Sequence, residues 1–126
     1  MKYIKGVGMT KFGVHTKSSQ ELCHEAIMEA LDDANMPLAE IDEIIISKGE
    51  SVNDGERQRL FPGTISSILQ NEDIPIIRVT AACSGGGSAF WNGVHSGKKN
   101  VLVIGCEKLT SGLTKYVTDD FMMASE

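Results

Sequence analysis

The 126-residue sequence is 41% hydrophobic and 23% charged, a make-up that lets one soluble domain bury a core, so a single domain is expected. Its net charge is −5, and its twelve Lys and Arg are scattered with Lys98-Lys99 as the one adjacent basic pair, which argues against a nucleic-acid partner. Apolar runs such as Ile44 to Ile46 and Val101 to Ile104 are too short to cross a bilayer, and the first residues carry no apolar signal region, so no membrane partner and a cytoplasmic location are expected.

Tyr3 to Thr10 mixes β-formers with glycines and reads as an opening strand. A helix follows from Ser18 to Ala34. Ser18 and Glu21 have the spacing of a capping box, Leu22, Cys23, Ala26, Ile27, Ala30, Leu31 and Ala34 recur on one face, and Asn35 and Pro37 end the pattern. Cys23 belongs to that apolar stripe, whereas His24 and Glu25 lie beside it and read as surface residues. Ile41 to Ser47 is rich in isoleucine without alternation, as a strand covered on both faces requires. Gly49 to Arg57 is a polar loop, and Gly63 to Gln70 makes a short helix with Ile65, Ile68 and Leu69 inward. Ile74 to Val79 is a strand with its proline near the start. A glycine-rich stretch from Ser84 leads into a helix to Ser96 bearing Ala89, Phe90 and Val94, and Gly97 closes it. Phe90 and Trp91 read as packing groups. Val101 to Cys106 is another buried strand, and Ser111 to Glu126 is loop with a helical turn near Asp120 to Ala124. The order β-α-β-α-β-α-β predicts an α/β fold, a mostly parallel sheet with helices on both faces.

The three cysteines, Cys23, Cys83 and Cys106, are widely and irregularly spaced, so neither a Cys-x-x-Cys redox pair nor a metal site is expected. In a reducing compartment a cysteine is by default a small buried hydrophobe. Cys83 stands apart, because in Arg78-Val79-Thr80-Ala81-Ala82-Cys83-Ser84-Gly85-Gly86-Gly87-Ser88-Ala89 a strand ends near the thiol and three glycines open a helix. Function in parallel sheets gathers at the carboxyl ends of strands. There the positive end of a helix dipole stabilises negative charge on sulfur or on a nearby carbonyl oxygen. Glycines admit a substrate close to the backbone and bare N–H donors, and Ala81, Ala82 and Ser84 keep the approach open. On spacing alone, a buried cysteine beside a tight glycine turn competes evenly with a catalytic one. Phosphate-binding glycine motifs are absent. Glu107-Lys108, at a strand end, reads as an exposed ion pair of small energetic weight.

Val7-Gly8-Met9-Thr10-Lys11-Phe12-Gly13, the helix from Ser18 with Ile41 to Ile45 after it, Val79 to Gly86, and Val103-Ile104-Gly105-Cys106-Glu107-Lys108-Leu109-Thr110 together resemble the thiolase superfamily, in particular its archaeal and sterol-carrier-protein-like members. The resemblance is collinear to about Thr110. It implies a thiolase-like layered fold, here as a partial N-terminal half over residues 1–126, with Cys83 as the nucleophile that accepts an acyl group from a coenzyme A thioester substrate and passes it to a second coenzyme A or acetyl-CoA. No tightly bound cofactor is implied, and no coenzyme-A-binding residue is assigned. Homo-oligomers, dimers or tetramers, are implied as partners, as is assembly with a hydroxymethylglutaryl-CoA synthase. The family's Gly-His-Pro histidine, the asparagine of its Asn-Glu loop and its second cysteine, in a Cys-x-Gly motif, belong to its C-terminal half and are not matched here, since His15, His24 and His95 lack the first context and Cys106 precedes Glu107-Lys108. The chain therefore reads as a fragment with negligible turnover alone. Ketoacyl-acyl carrier protein synthase III shares the fold and an Ala-Cys-Ser-Gly motif and is the competing family, and a non-catalytic scaffold subunit is a third reading.

Overall fold

A computed structural model describes residues 1–49, 60–71 and 73–108. The sequence-predicted loop from Gly49 to Arg57, apart from Gly49, and the tail from Ser111 onward lie outside the described residues.

Helix α1 (Ser19–Asp33) starts where the capping box places it. The Ser18 Oγ accepts the Glu21 N–H at 3.3 Å, and a Glu21 carboxylate oxygen accepts the Ser18 N–H at 2.7 Å, so two donors left over by the first helical turn are satisfied reciprocally. Asn35 takes a left-handed φ of 47° just past the end, as short polar residues do. Strand β1 (Glu43–Lys48) is buried at every position, which its unbroken isoleucine run requires. Helix α2 (Phe61–Leu69) has its proline in the first turn, where the missing N–H is harmless. Strand β2 (Ile76–Val79), helix α3 (Gly85–His95) and strand β3 (Val101–Cys106) complete the order. Among the described residues no helix is long and apolar enough to span a membrane.

The strands form a parallel sheet in the order β2-β1-β3. Ile44 pairs with Ile76 on one side and Leu102 on the other, and the register continues to Ser47 with Val79 and Lys48 with Cys106. Because side chains alternate across a strand, one face carries Ile44, Ile46, Leu102, Ile104 and Cys106. These join Cys23, Ile27 and Leu31 of α1 and Phe61 and Ile65 of α2 in one core cluster. The other face is covered by α3. Helices thus lie on both faces, as the sequence predicts.

Three readings need correction. Tyr3 to Thr10 is no strand of this sheet. The segment lies against α1, with the Val7 N–H donating to Asp33 Oδ2 at 2.9 Å and the Met9 N–H to Glu29 Oε2 at 3.2 Å, so donors that a ladder would use go to carboxylates. Its glycines serve contact with the helix, since a Cβ on Gly6 would stand 2.4 Å from the Ala30 carbonyl oxygen and one on Gly8 2.2 Å from that of Ala26. On α3 the buried residues are Gly85, Ala89 and Gly93, whereas Phe90, Trp91 and Val94 are 50%, 60% and 42% exposed. Small residues at spacing four let that helix sit close on the sheet, so the large apolar ones face outward. Trp91 stacks on His95 at 4.0 Å between ring centroids instead of packing in the core. Finally, α2 begins two residues before the predicted Gly63, and Phe61 there is wholly buried.

Candidate active site

Cys83 sits in a short 3-10 turn (Ala82–Ser84) between β2 and α3, on the side of the sheet where the parallel strands end. The thiol is exposed. Ala82, directly before it, has a φ of 42°, a left-handed conformation that costs an L-residue with a Cβ roughly 1–2 kcal/mol. The chain thus turns sharply from strand to helix at the cysteine, and strain at such a junction is commonly held where a side chain must be aimed.

The start of α3 is pressed onto the sheet at one glycine and open at the next two. A Cβ on Gly85 would lie 2.1 Å from the Ser47 Oγ at the end of β1, whereas one on Gly86 or Gly87 would meet nothing within 4 Å among the described residues. Neither Gly86 nor Gly87 has a positive φ. Packing therefore explains Gly85 and leaves the other two as bare backbone beside the thiol. No side chain caps this helix, because the Ser84 hydroxyl is spent on the Ala81 carbonyl at 2.8 Å. The Ser84 and Gly85 N–H groups are taken by the Ala81 and Ala82 carbonyls of the 3-10 turn, which leaves those of Gly86 and Gly87, pointing with the helix dipole toward the end where Cys83 lies. A thiol, the Gly86 and Gly87 N–H groups and a cleared approach are the parts needed to attack a carbonyl and hold the resulting oxyanion.

Histidine is not brought to this thiol by α3. His95 is at the far end of the helix, about 16 Å along the axis at 1.5 Å per residue, with its Nδ1 2.8 Å from the Trp91 carbonyl oxygen. The His15 Nε2 is 2.5 Å from the Lys11 carbonyl oxygen, and His24 is on the exposed side of α1, as its sequence position predicts. A hollow bounded by Glu43, Ile45, Ile77, His95 and Lys98 lies at the opposite end of β1 from Cys83, so it holds no part of this chemistry.

Around the carboxyl ends of the strands the structure adds residues that sequence reading passed over. Lys48 is buried at 2% exposure, with its Nζ 5.1 Å from the Phe61 ring centroid. The Arg78 Nη2 donates to the Lys48 and Gly49 carbonyls at 3.1 and 3.2 Å, tying β2 to the end of β1. Glu107 and Lys108 are not an ion pair with one another. Glu107 accepts the Gly49 N–H at 2.8 Å and the Lys108 Nζ donates to the Lys17 carbonyl at 2.8 Å, so both fasten the segments that frame the site. Nothing in local sequence announces a buried lysine at the end of an isoleucine strand, because its partners come from distant segments. Cys23 and Cys106 are buried, so the structure exposes Cys83 and covers the other two thiols.

A family model described as the thiolase N-terminal domain matches residues 3–124. Sterol carrier protein 2 of Bos taurus is 34% identical over 119 residues, covering 87% of this chain and 21% of that protein. The benzoylsuccinyl-CoA thiolase subunit BbsB of Thauera aromatica is 35% identical over 113 residues, covering 86% of this chain and 28% of that protein. The chain thus spans between a fifth and a third of the length of these relatives. Among solved structures, the 3-oxoacyl-[acyl-carrier-protein] synthase III from Aquifex aeolicus VF5 superposes with a TM-score of 0.63 at 30% identity, covering 76% of this chain and 32% of that one. The priming β-ketosynthase of the R1128 polyketide pathway superposes with a TM-score of 0.59 at 23% identity, covering 75% and 28%, a likeness of fold.

Proposed function

Given that the chain belongs to the thiolase family through its N-terminal domain, we propose that it is the nucleophile-bearing part of a thiolase-type acyltransferase, with Cys83 carrying the acyl group. The observation behind this reading is the exposed Cys83 at the uncapped, glycine-opened start of α3. In the proposed reaction the Cys83 sulfur attacks the carbonyl carbon of an acyl-CoA thioester or a 3-ketoacyl-CoA. The carbonyl oxygen takes up negative charge facing first-turn N–H groups of α3. Collapse expels coenzyme A as a thiolate from the first substrate, or an enolate from the second, and leaves an S-acyl cysteine. A second coenzyme A thiol, or an acetyl-CoA carbanion, then takes the acyl group and returns the electron pair to Cys83, splitting one displacement into two. The name of the benzoylsuccinyl-CoA relative supports a coenzyme A thioester as the substrate class.

The superposition on a 3-oxoacyl-[acyl-carrier-protein] synthase III supports a second reading, a condensing enzyme whose acceptor is held on acyl carrier protein. The two differ in how acyl-Cys83 is discharged. On the thiolase reading, free coenzyme A removes the acyl group and an acceptor held on acyl carrier protein does not, and the reverse outcome selects the condensing enzyme. Steady turnover is expected from neither assay with these 126 residues, because general acid-base help worth roughly 10²–10⁴-fold needs a Gly-His-Pro histidine and a second Cys-x-Gly cysteine, and the sequence has no Gly-His-Pro and no Cys-x-Gly besides Cys83-Ser84-Gly85. A spectrophotometric thiolysis assay with acetoacetyl-CoA checks this, and turnover at an ordinary enzymatic rate that Cys83→Ala abolishes would refute the fragment reading.

A further inference from the structure

Two thiols take no part in the proposed acyl transfer, and the fold brings them together. Cys23 shares the buried face of α1 with Ser19, Ile27 and Leu31. Cys106 ends β3, and its side chain leaves the sheet on the same face as that of its register partner Lys48, the face that α1 and α2 cover. The Cys106 Sγ is 3.9 Å from the Ser19 carbonyl oxygen, one helical turn before Cys23, so the Cys106 thiol stands against the turn of α1 that leads to Cys23. Cys23 and Cys106 are 3% and 8% exposed.

We propose that Cys23 and Cys106 are a reversible modification site, oxidised by a small hydroperoxide to a disulfide that fastens α1 to the carboxyl end of β3. With the Cys106 Sγ already on the Ser19 carbonyl of α1, reaching an S–S length of about 2.05 Å asks for side-chain rotation and an approach of the two elements. The Cys106 sulfur, having lost its proton to solvent, attacks one peroxide oxygen. The O–O bond breaks, Cys106 becomes a sulfenic acid, and the other oxygen leaves as water or an alcohol after taking a proton. The Cys23 sulfur then attacks the sulfenic sulfur, and the expelled hydroxide leaves as water with the Cys23 proton. Two thiols lose two electrons and two protons, and one hydroperoxide is reduced.

Cys106 takes the first role because it is the less buried of the two and ends a strand. The hydrogen bond with Cys23 holds its thiol below the ordinary range, with the Lys48 charge and the Ser19 bond acting in the same direction against burial and the Glu107 charge. Cys23, deeper in the core, resolves the sulfenic acid. Cys83 sits across the sheet at the start of α3, so its oxidation should stop at the sulfur acids.

The test uses the whole chain, treated with hydrogen peroxide, alkylated after unfolding, and digested without reductant. A Cys23–Cys106 peptide with a two-hydrogen mass loss, restored by dithiothreitol and formed at an unchanged rate in Cys83→Ser, is the expected result. In Cys23→Ser, Cys106 should accumulate as sulfinic acid. The proposal is overturned if both thiols of the oxidised chain still alkylate fully on unfolding, or if Cys83 is the partner in the crosslink. Where a serine variant does not fold, the crosslink in the unaltered sequence decides alone.

Discussion

Gly85, Gly86 and Gly87 follow one another in sequence, yet the structure gives them different work. Gly87→Ala places a methyl in open space on a helix, so it should stabilise the fold by about 0.5–1 kcal/mol. In Gly85→Ala the new methyl meets the Ser47 hydroxyl and forces it to turn within a buried site, so that variant should be the less stable of the two. Denaturant midpoints decide the order. If Gly87→Ala also slows alkylation of Cys83 by iodoacetamide, the openness of that position serves access to the thiol; an unchanged rate would assign it no such service. Sequence spacing located this thiol but could not separate the three glycines, because only the approach of β1 distinguishes them. The left-handed Ala82 was equally hidden, since alanine gives no hint of a positive φ.

The elements divide by how local their causes are. The capping box of α1 and the isoleucine run of β1 were legible because each is written within a few residues. The opening segment was not, because glycines that admit a helix backbone look like glycines within a strand. For the same reason the inward face of α3 was misread, as sequence shows which residues are large but not that a sheet needs small ones opposite it. Phe61 had a signal in the proline that follows it. Ser18→Ala should cost α1 about 1 kcal/mol in denaturant unfolding. The hydrogen bonds from Ser18 hold the Glu21 carboxyl below its ordinary value of 4.5. A lowered folded value means that the unfolded chain binds more protons in that range, so this contribution is present above about pH 4.5 and fades as pH falls through the folded value. Glu21→Gln should therefore flatten the acid limb of the stability profile, and an unaltered limb would remove the capping box from that account.

At the level of the molecule, β2 is an edge of the described sheet, with Ile77 47% exposed. The outward Phe90, Trp91 and Val94 of α3 also lie exposed. An exposed apolar side chain on an unpaired edge favours association, and we propose that the homo-oligomer implied by the resemblance forms through Ile74 to Val79. Sedimentation over a range of concentrations should show a dimer that Ile77→Lys dissociates, and a persistent monomer would count against this interface. The most direct measurement of the central claim is made on the whole chain held with excess acetyl-CoA for hours, followed by intact mass and peptide mapping. The account predicts a single acetyl group, on Cys83, lost in Cys83→Ala. An acetyl group on Cys23 or Cys106, or a folded chain that alkylates at Cys83 but takes no acetyl group, would contradict it.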